Sequence, residues 1–160
     1  MRIGIVSDTH GNYAVVEKAL KILEEKGIEL ILHCGDIDDA ETVWLFPGHT
    51  HFVWGNCDTE RASLRQAIYG IGATLHEPFA DLELDGKKIA FVHGDNKRLF
   101  EGIEYSGHFD YLFYGHTHVA AEHRTGPTRV INPGALHRAR PKTFLVLNLE
   151  TGAAESVAVE

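Results

Sequence analysis

Seven side chains able to ligate a metal stand in short polar clusters, each beside an apolar run. They are Asp8 and His10 in Asp8-Thr9-His10, Asp36 after Gly35, Asn56 after Gly55, His93 before Gly94, and His116 and His118 in Gly115-His116-Thr117-His118. The last cluster follows Tyr111-Leu112-Phe113-Tyr114, which reads as a buried strand. Residues i and i+2 of an extended chain point to one side. Both imidazoles therefore face one point at a strand end, which suits a metal. Alone, the two histidines are explained as well by ordinary packing. Five such clusters at five strand ends make one site if those ends lie side by side.

The donors comprise two carboxylates, four imidazoles and one amide oxygen. Oxygen and nitrogen without obligatory thiolates suit Mn, Fe, Ni or Zn better than Ca. Seven donors are too many for one such ion but suit two, and Asp36 is the natural bridging carboxylate. Two close cations clamp a phosphoryl oxygen and generate hydroxide from water near neutral pH.

The elements needed to position these groups are legible in order. Arg2 to Ser7 reads as a strand, and Asp8 to Asn12 as a turn with Asn12 a helix N-cap. Tyr13 to Lys26 has helical spacing and stops at Gly27. Ile28 to His33 is a second strand, so the first two strands pair in parallel across a right-handed crossover. Ligands in such sheets sit off the carboxyl ends of the strands, where Asp8, His10 and Asp36 fall. A short helix is expected over Asp38 to Trp44, with Asp38 a solvated residue at its start. A strand over His51 to Trp54 and a weak helix over Arg61 to Tyr69 follow. Phe79 to Leu84 and Lys87 to Val92 form a hairpin about Asp85-Gly86. Arg98 to Tyr105 is helical. Further hairpins join Glu122–Arg124 to Arg129–Ile131, and Thr143–Leu149 to Glu155–Val159. A parallel, helix-rich first half and a hairpin-rich second half fit two sheets packed face to face with helices outside. No repeat or linker divides residues 1–160, so one domain is expected.

With 44% apolar and 24% charged residues, the composition is that of a globular protein with a real core. The net charge of -8 argues against a broad basic face for nucleic acid. It leaves a phosphate substrate open, because bound cations reverse the local sign. Cys34 and Cys57 make no disulfide framework, and the first apolar run is short for a signal peptide. No run reaches the length of a membrane span. A cytoplasmic protein is expected.

The ordered motifs Asp-x-His, Gly-Asp, Gly-Asn-x-Asp, His and Gly-His-x-His, followed by Asn132-Pro133-Gly134, resemble the calcineurin-like metallophosphoesterases. The resemblance spans nearly the whole chain and points to the small prokaryotic phosphodiesterase branch. It implies an α/β fold, a four-layer α/β/β/α sandwich of two mixed sheets flanked by helices. It also implies a dinuclear centre. Asp8, His10, Asp36 and His118 would hold one metal, and Asp36, Asn56, His93 and His116 the other. Manganese is the expected ion, with iron, nickel and zinc as alternatives. Asp36, Asn56 and His116 are the expected catalytic residues. Where many members carry His after Gly-Asn, the proposed acid for the leaving group, this chain carries Cys57. Ala135 replaces a frequent Ser.

Other groups receive lesser roles. His137, Arg138 and Arg140 follow the Asn-Pro-Gly turn and are candidates, with Cys57, for substrate contact. Arg61 and Arg98 are weaker candidates of the same kind. His33 is expected to be packed or to support a ligand, His51 to lie away from the site, and His49, His76, His108 and His123 to be solvated. Cys34 reads as a core residue.

The expected activity is hydrolysis of a small-molecule phosphodiester by a metal-activated hydroxide, with no extended nucleic-acid surface and no membrane. A homo-oligomer stays open. The alternatives are a phosphomonoesterase or nucleotide pyrophosphatase with the same centre, and a non-catalytic scaffold of the same fold, as a retromer subunit is. A full donor set speaks against the scaffold. A thiol, with an unperturbed pKa of roughly 8.5, is a poorer proton donor than imidazolium, and nearby cations would turn it into a thiolate that cannot donate. Rates across a series of aryl and alkyl phosphodiesters should therefore depend steeply on leaving-group pKa, and Cys57→His should flatten the dependence and improve monoester turnover. A wild-type rate independent of the leaving group, with chemistry rate-limiting, would refute this role.

Overall fold

The computed structural model describes all residues from Met1 to Glu160. β1 (Arg2–Val6) is buried on both faces, as a strand inside a parallel sheet must be. Ile3 and Ile5 join one apolar cluster, and Val6 joins another on the opposite face. Gly4 keeps α1 (Tyr13–Glu25) close, since a Cβ there would come 2.7 Å from Leu23 Cδ2. The crossover returns to β2 (Leu30–His33), parallel to β1. α2 (Ala40–Leu45), β3 (Thr50–Phe52), α3 (Arg61–Gly70) and β4 (Thr74–Leu75) continue the parallel series.

β5 (Phe79–Leu84) and β6 (Lys87–Val92) form the hairpin about Asp85-Gly86. α4 (Lys97–Glu104) leads to β7 (Tyr111–Phe113), and β8 (Ala121–Thr125) turns into β9 (Thr128–Asn132). β10 (Lys142–Asn148) and β11 (Ala154–Val159) close the chain. The first sheet has the order β11-β10-β1-β2-β3-β4, and the second β5-β6-β7-β9-β8. Both are mixed, as expected.

Three apolar layers hold the assembly. Ile3, Ile5 and Leu32 meet Phe91, Phe113 and Ile131 between the sheets. α1, α2 and α3 cover the outer face of the first sheet through residues such as Val16, Val43 and Leu64. α4 covers the second sheet through Ile103, which joins Leu112 and Val130. The result is two mixed sheets flanked by helices, the expected α/β arrangement. β1, β2 and β3 run parallel in one sheet, and β6, β7 and β9 in the other.

Several boundaries differ from the sequence reading. The second helix starts at Ala40 rather than Asp38, because Asp39 caps it by accepting from Thr42 N at 2.9 Å. The third strand covers Thr50–Phe52, and the short β4 is an element the periodicity missed. Asn12 precedes α1 without a capping bond; its Nδ2 donates instead to Leu136 O at 3.0 Å. The second half holds three mutually parallel strands as well as hairpins. No helix is long and apolar enough to cross a membrane.

Candidate metal centre

The polar turns after β1, β2, β6 and β7 meet at one rim. Asp8, His10 and His118 each present a ligand atom within 4.8 Å of the others, and so do Asp8, Asp36 and His93. Asp36 Oδ2 lies between the two groups, 3.4 Å from His10 Nε2 and 3.1 Å from His93 Nε2. His116 Nδ1 is 3.3 Å from His93 Nε2. Six of the seven expected donors thus come together. The seventh, Asn56, is exposed on the rim; its side chain contacts Cys57 Sγ at 3.8 Å and bonds to none of the six.

These turns are strained. Asp8, His10, Asp36, His116 and His118 all have positive φ, between 43° and 70°. Asp and His tolerate this region better than most residues with a Cβ, but each instance costs on the order of 1–3 kcal/mol. Neighbouring glycines make room. A Cβ at Gly55 would collide with the Asp36 carboxylate, and one at Gly115 with Ser7 and Asp8.

One atom decides whether a cation fits. Asp8 Oδ2 accepts from Ser7 Oγ at 2.6 Å and from His116 N at 3.0 Å. Asp8 Oδ1 is fully buried and has no hydrogen-bond partner. Around it stand His118 Nε2 at 3.2 Å, His10 Nε2 at 3.5 Å and His93 Nε2 at 3.9 Å. An orphaned buried carboxylate oxygen is costly, and a cation removes the cost. The outer nitrogens are already engaged: His93 Nδ1 donates to Cys34 O at 2.8 Å, and His10 Nδ1 faces the Asp38 carboxylate at 3.2 Å. Such partners leave Nε2 free as a ligand. The His and Asp cluster can hold metal.

The carboxylates set the protonation of the cluster. Asp8 first, with Asp38 and Asp36 beyond it, pushes the His10 pKa up to about 9, against an opposing effect of burial. Burial disfavours charge on His93, but Asp36 and Asp8 outweigh it and raise its pKa. Burial disfavours charge on Asp36 too, yet His93 and the Cys57 N–H hold its carboxyl well below the usual range. His33 is driven to about 3 by burial and is neutral. Its Nδ1 accepts from Gly35 N at 3.0 Å, so Nε2 carries the proton and donates to Thr9 Oγ1 at 3.0 Å.

Two residues do more than their sequence context suggested. Asp38 is not a merely solvated helix start; it sits at φ 82° and orients His10. Asp58 is buried and clamps two loops. Its Oδ1 accepts from Ile37 N at 2.8 Å and Asp38 N at 2.9 Å, and its Oδ2 from Asp36 N at 2.9 Å and Gly55 N at 2.8 Å. The signal was the last letter of Gly55-Asn56-Cys57-Asp58, read as motif without a role.

The candidate substrate groups divide. Cys57 is exposed beside His10 and Asp38, and the His137 ring lies 5.4 Å from that of His10. Arg138 and Arg140 are exposed. With no cation bound, burial, then Asp36, Asp38 and Asp58, raise the Cys57 thiol to about 11. Arg61 is engaged by Asp58 O at 2.9 Å. His51 and His76 pair with each other at 2.8 Å, and the exposed His123 bonds Glu104 at 2.6 Å, so neither His76 nor His123 is simply solvated.

A model of the calcineurin-like phosphoesterase superfamily domain matches residues 1–152. The chain belongs to that superfamily. A phosphodiesterase of Methanocaldococcus jannaschii is 32% identical over 138 residues, covering 84% of this chain and 83% of the relative. The Escherichia coli phosphodiesterase YfcE is 25% identical, over 85% of this chain and 79% of its own. The structure of an archaeal phosphodiesterase superposes with a TM-score of 0.90 at 28% identity, covering 99% of both chains. Vps29 of Chaetomium thermophilum shares the fold, with a TM-score of 0.70 at 16% identity over 99% of this chain and 95% of its own. The chain is accordingly a metal-dependent phosphoesterase.

Two predictions follow from this geometry. Asp58→Asn removes acceptors from buried N–H groups, each costing about 1–3 kcal/mol when left unpaired. It should destabilise the protein in urea unfolding and weaken metal binding more than Asp38→Asn does; equal effects would refute the clamp. His10 has its folded pKa raised, so its protonated form stabilises the chelator-treated protein fully below pH 6.5, and that contribution is lost as pH rises through about 9. Metal must displace this proton. Metal affinity, measured by calorimetry, should therefore rise with pH up to about 9 and rise less in Asp38→Asn.

Proposed function

We propose that the protein hydrolyses small phosphodiesters at a centre of two divalent cations. The reading is carried by Asp8 Oδ1, buried without a partner and ringed by three imidazole nitrogens. Asp8, His10, Asp36 and His118 would hold one ion, and Asp36, Asn56, His93 and His116 the other. The position of Asp36 Oδ2 between His10 and His93 supports its bridging role. Manganese suits the oxygen and nitrogen donors, as do iron, nickel and zinc. Bound ions would supply Lewis-acid polarisation of the phosphoryl oxygens and an acidified water as nucleophile.

The chain's own groups orient and exclude. Asp38 and Cys34 O fix the tautomers of His10 and His93. Ser7 and the His116 N–H hold the Asp8 carboxylate in one orientation. Asp58 fixes the two loops bearing Asp36 and Asn56. Asn56 and His116 are both exposed at the rim and would reach substrate oxygens, with Cys57 and His137 as further contacts. Arg138 and Arg140 offer charge farther along the same loop.

A diester substrate is supported by the relatives named as phosphodiesterases and by the absence of imidazole at position 57. A net charge of -8 favours a small substrate over a nucleic-acid strand. Two free thiols, one fully buried, fit a cytoplasmic enzyme. Metal analysis of the purified protein should give two equivalents per chain, and a panel of phosphodiesters and monoesters should show the diesters turned over faster. One equivalent, or monoesters preferred throughout, would overturn the reading.

A further inference from the structure

We propose that His10, Asp38 and Cys57 form an accessory site for a thiophilic divalent cation, of the zinc or cadmium kind, at the mouth of the centre. Each of the three presents a donor atom within 4.8 Å of the other two. Zinc binds sulfur at about 2.3 Å and nitrogen or oxygen at about 2.0–2.2 Å, so one ion spans donors roughly 4 Å apart. A small side-chain rotation closes the difference.

The donors are held ready. The Cys57 N–H donates to Asp36 Oδ1 at 2.8 Å, and the Asp38 N–H to Asp58 Oδ1 at 2.9 Å, which fixes both loops. The Cys57 side chain is exposed, so an incoming ion reaches it from solvent. Sulfur, nitrogen and oxygen together match zinc and cadmium, whereas manganese and magnesium prefer oxygen. The site therefore discriminates among ions that the main centre accepts. On binding, the Sγ–H and His10 Nδ1–H bonds break and Sγ–metal and Nδ1–metal bonds form; the thiol proton passes to buffer and the imidazole proton moves to Nε2, and nothing is oxidised or reduced.

Occupancy also competes for His10. Its Nδ1 lies 3.2 Å from both Asp38 oxygens, while Nε2 faces Asp8 and Asp36. A neutral imidazole has one lone pair to give. A cation on Nδ1 thus withdraws His10 from the main centre, and excess thiophilic metal inhibits. That consequence rests on the proposed function; the binding itself does not.

The test titrates cadmium into the full-length, manganese-loaded protein. Three signals are followed: near-ultraviolet thiolate-to-cadmium absorption, alkylation of Cys57 by iodoacetamide read by mass spectrometry, and hydrolysis of an aryl diester. The band should saturate, alkylation should slow by at least about tenfold, and the rate should fall. Cys57→Ser should lose the band. Asp38→Asn should keep the thiol but need about tenfold more cadmium, the scale of a lost supporting group at a metal site. A band that persists in Cys57→Ser, or alkylation of Cys57 unslowed at saturating cadmium, would overturn the site. Band and protection with an unchanged rate would overturn the competition for His10. Band and protection in a protein that takes up no manganese would uphold the site and remove the phosphodiesterase reading.

Discussion

The apolar layer between the two sheets is the constraint on which the rest depends. Ile3, Ile5 and Leu32 on one side, and Phe91, Phe113 and Ile131 on the other, bring two sets of parallel strands against each other. Each fully buried side chain of this size contributes about 1.5–3 kcal/mol. That stabilisation offsets a rim made of left-handed Asp and His residues and of buried carboxylates, none of which would hold its conformation alone. Without the layer, Asp8 and His118 would be polar residues 110 positions apart on unrelated turns.

The rim is organised by hydrogen bonds as much as by charge. Asp58 receives four backbone N–H groups from two loops. Asp38, Cys34 O, Ser7 and the His116 N–H each occupy one side of a donor and leave its other side facing inward. A cluster assembled this way is preorganised for cations, because orientation is settled before binding. The same arrangement makes His10 a point of conflict, since both of its nitrogens have carboxylates nearby.

Cys57 brings a thiol to the edge of the cluster. With no cation bound, burial and the surrounding carboxylates hold its pKa up at about 11. It stands at the mouth, in reach of solvent and of His10 and Asp38.

The sequence by itself determined the strand–turn–donor units, the hairpin about Asp85-Gly86 and the identity of the residues that gather at the rim. These are local properties: apolar runs, turn formers and donor types at short spacing carry them. Helix boundaries were less legible, because the Asp39 cap depends on a side-chain bond that spacing does not specify. The tertiary structure alone decided that β10 lies beside β1 and that Asp38 supports His10. It alone showed Asp58 as the clamp and Asp8 Oδ1 as the orphaned oxygen. Each of these depends on how distant segments meet, and that is fixed by packing between sheets rather than by any pattern within one stretch of chain.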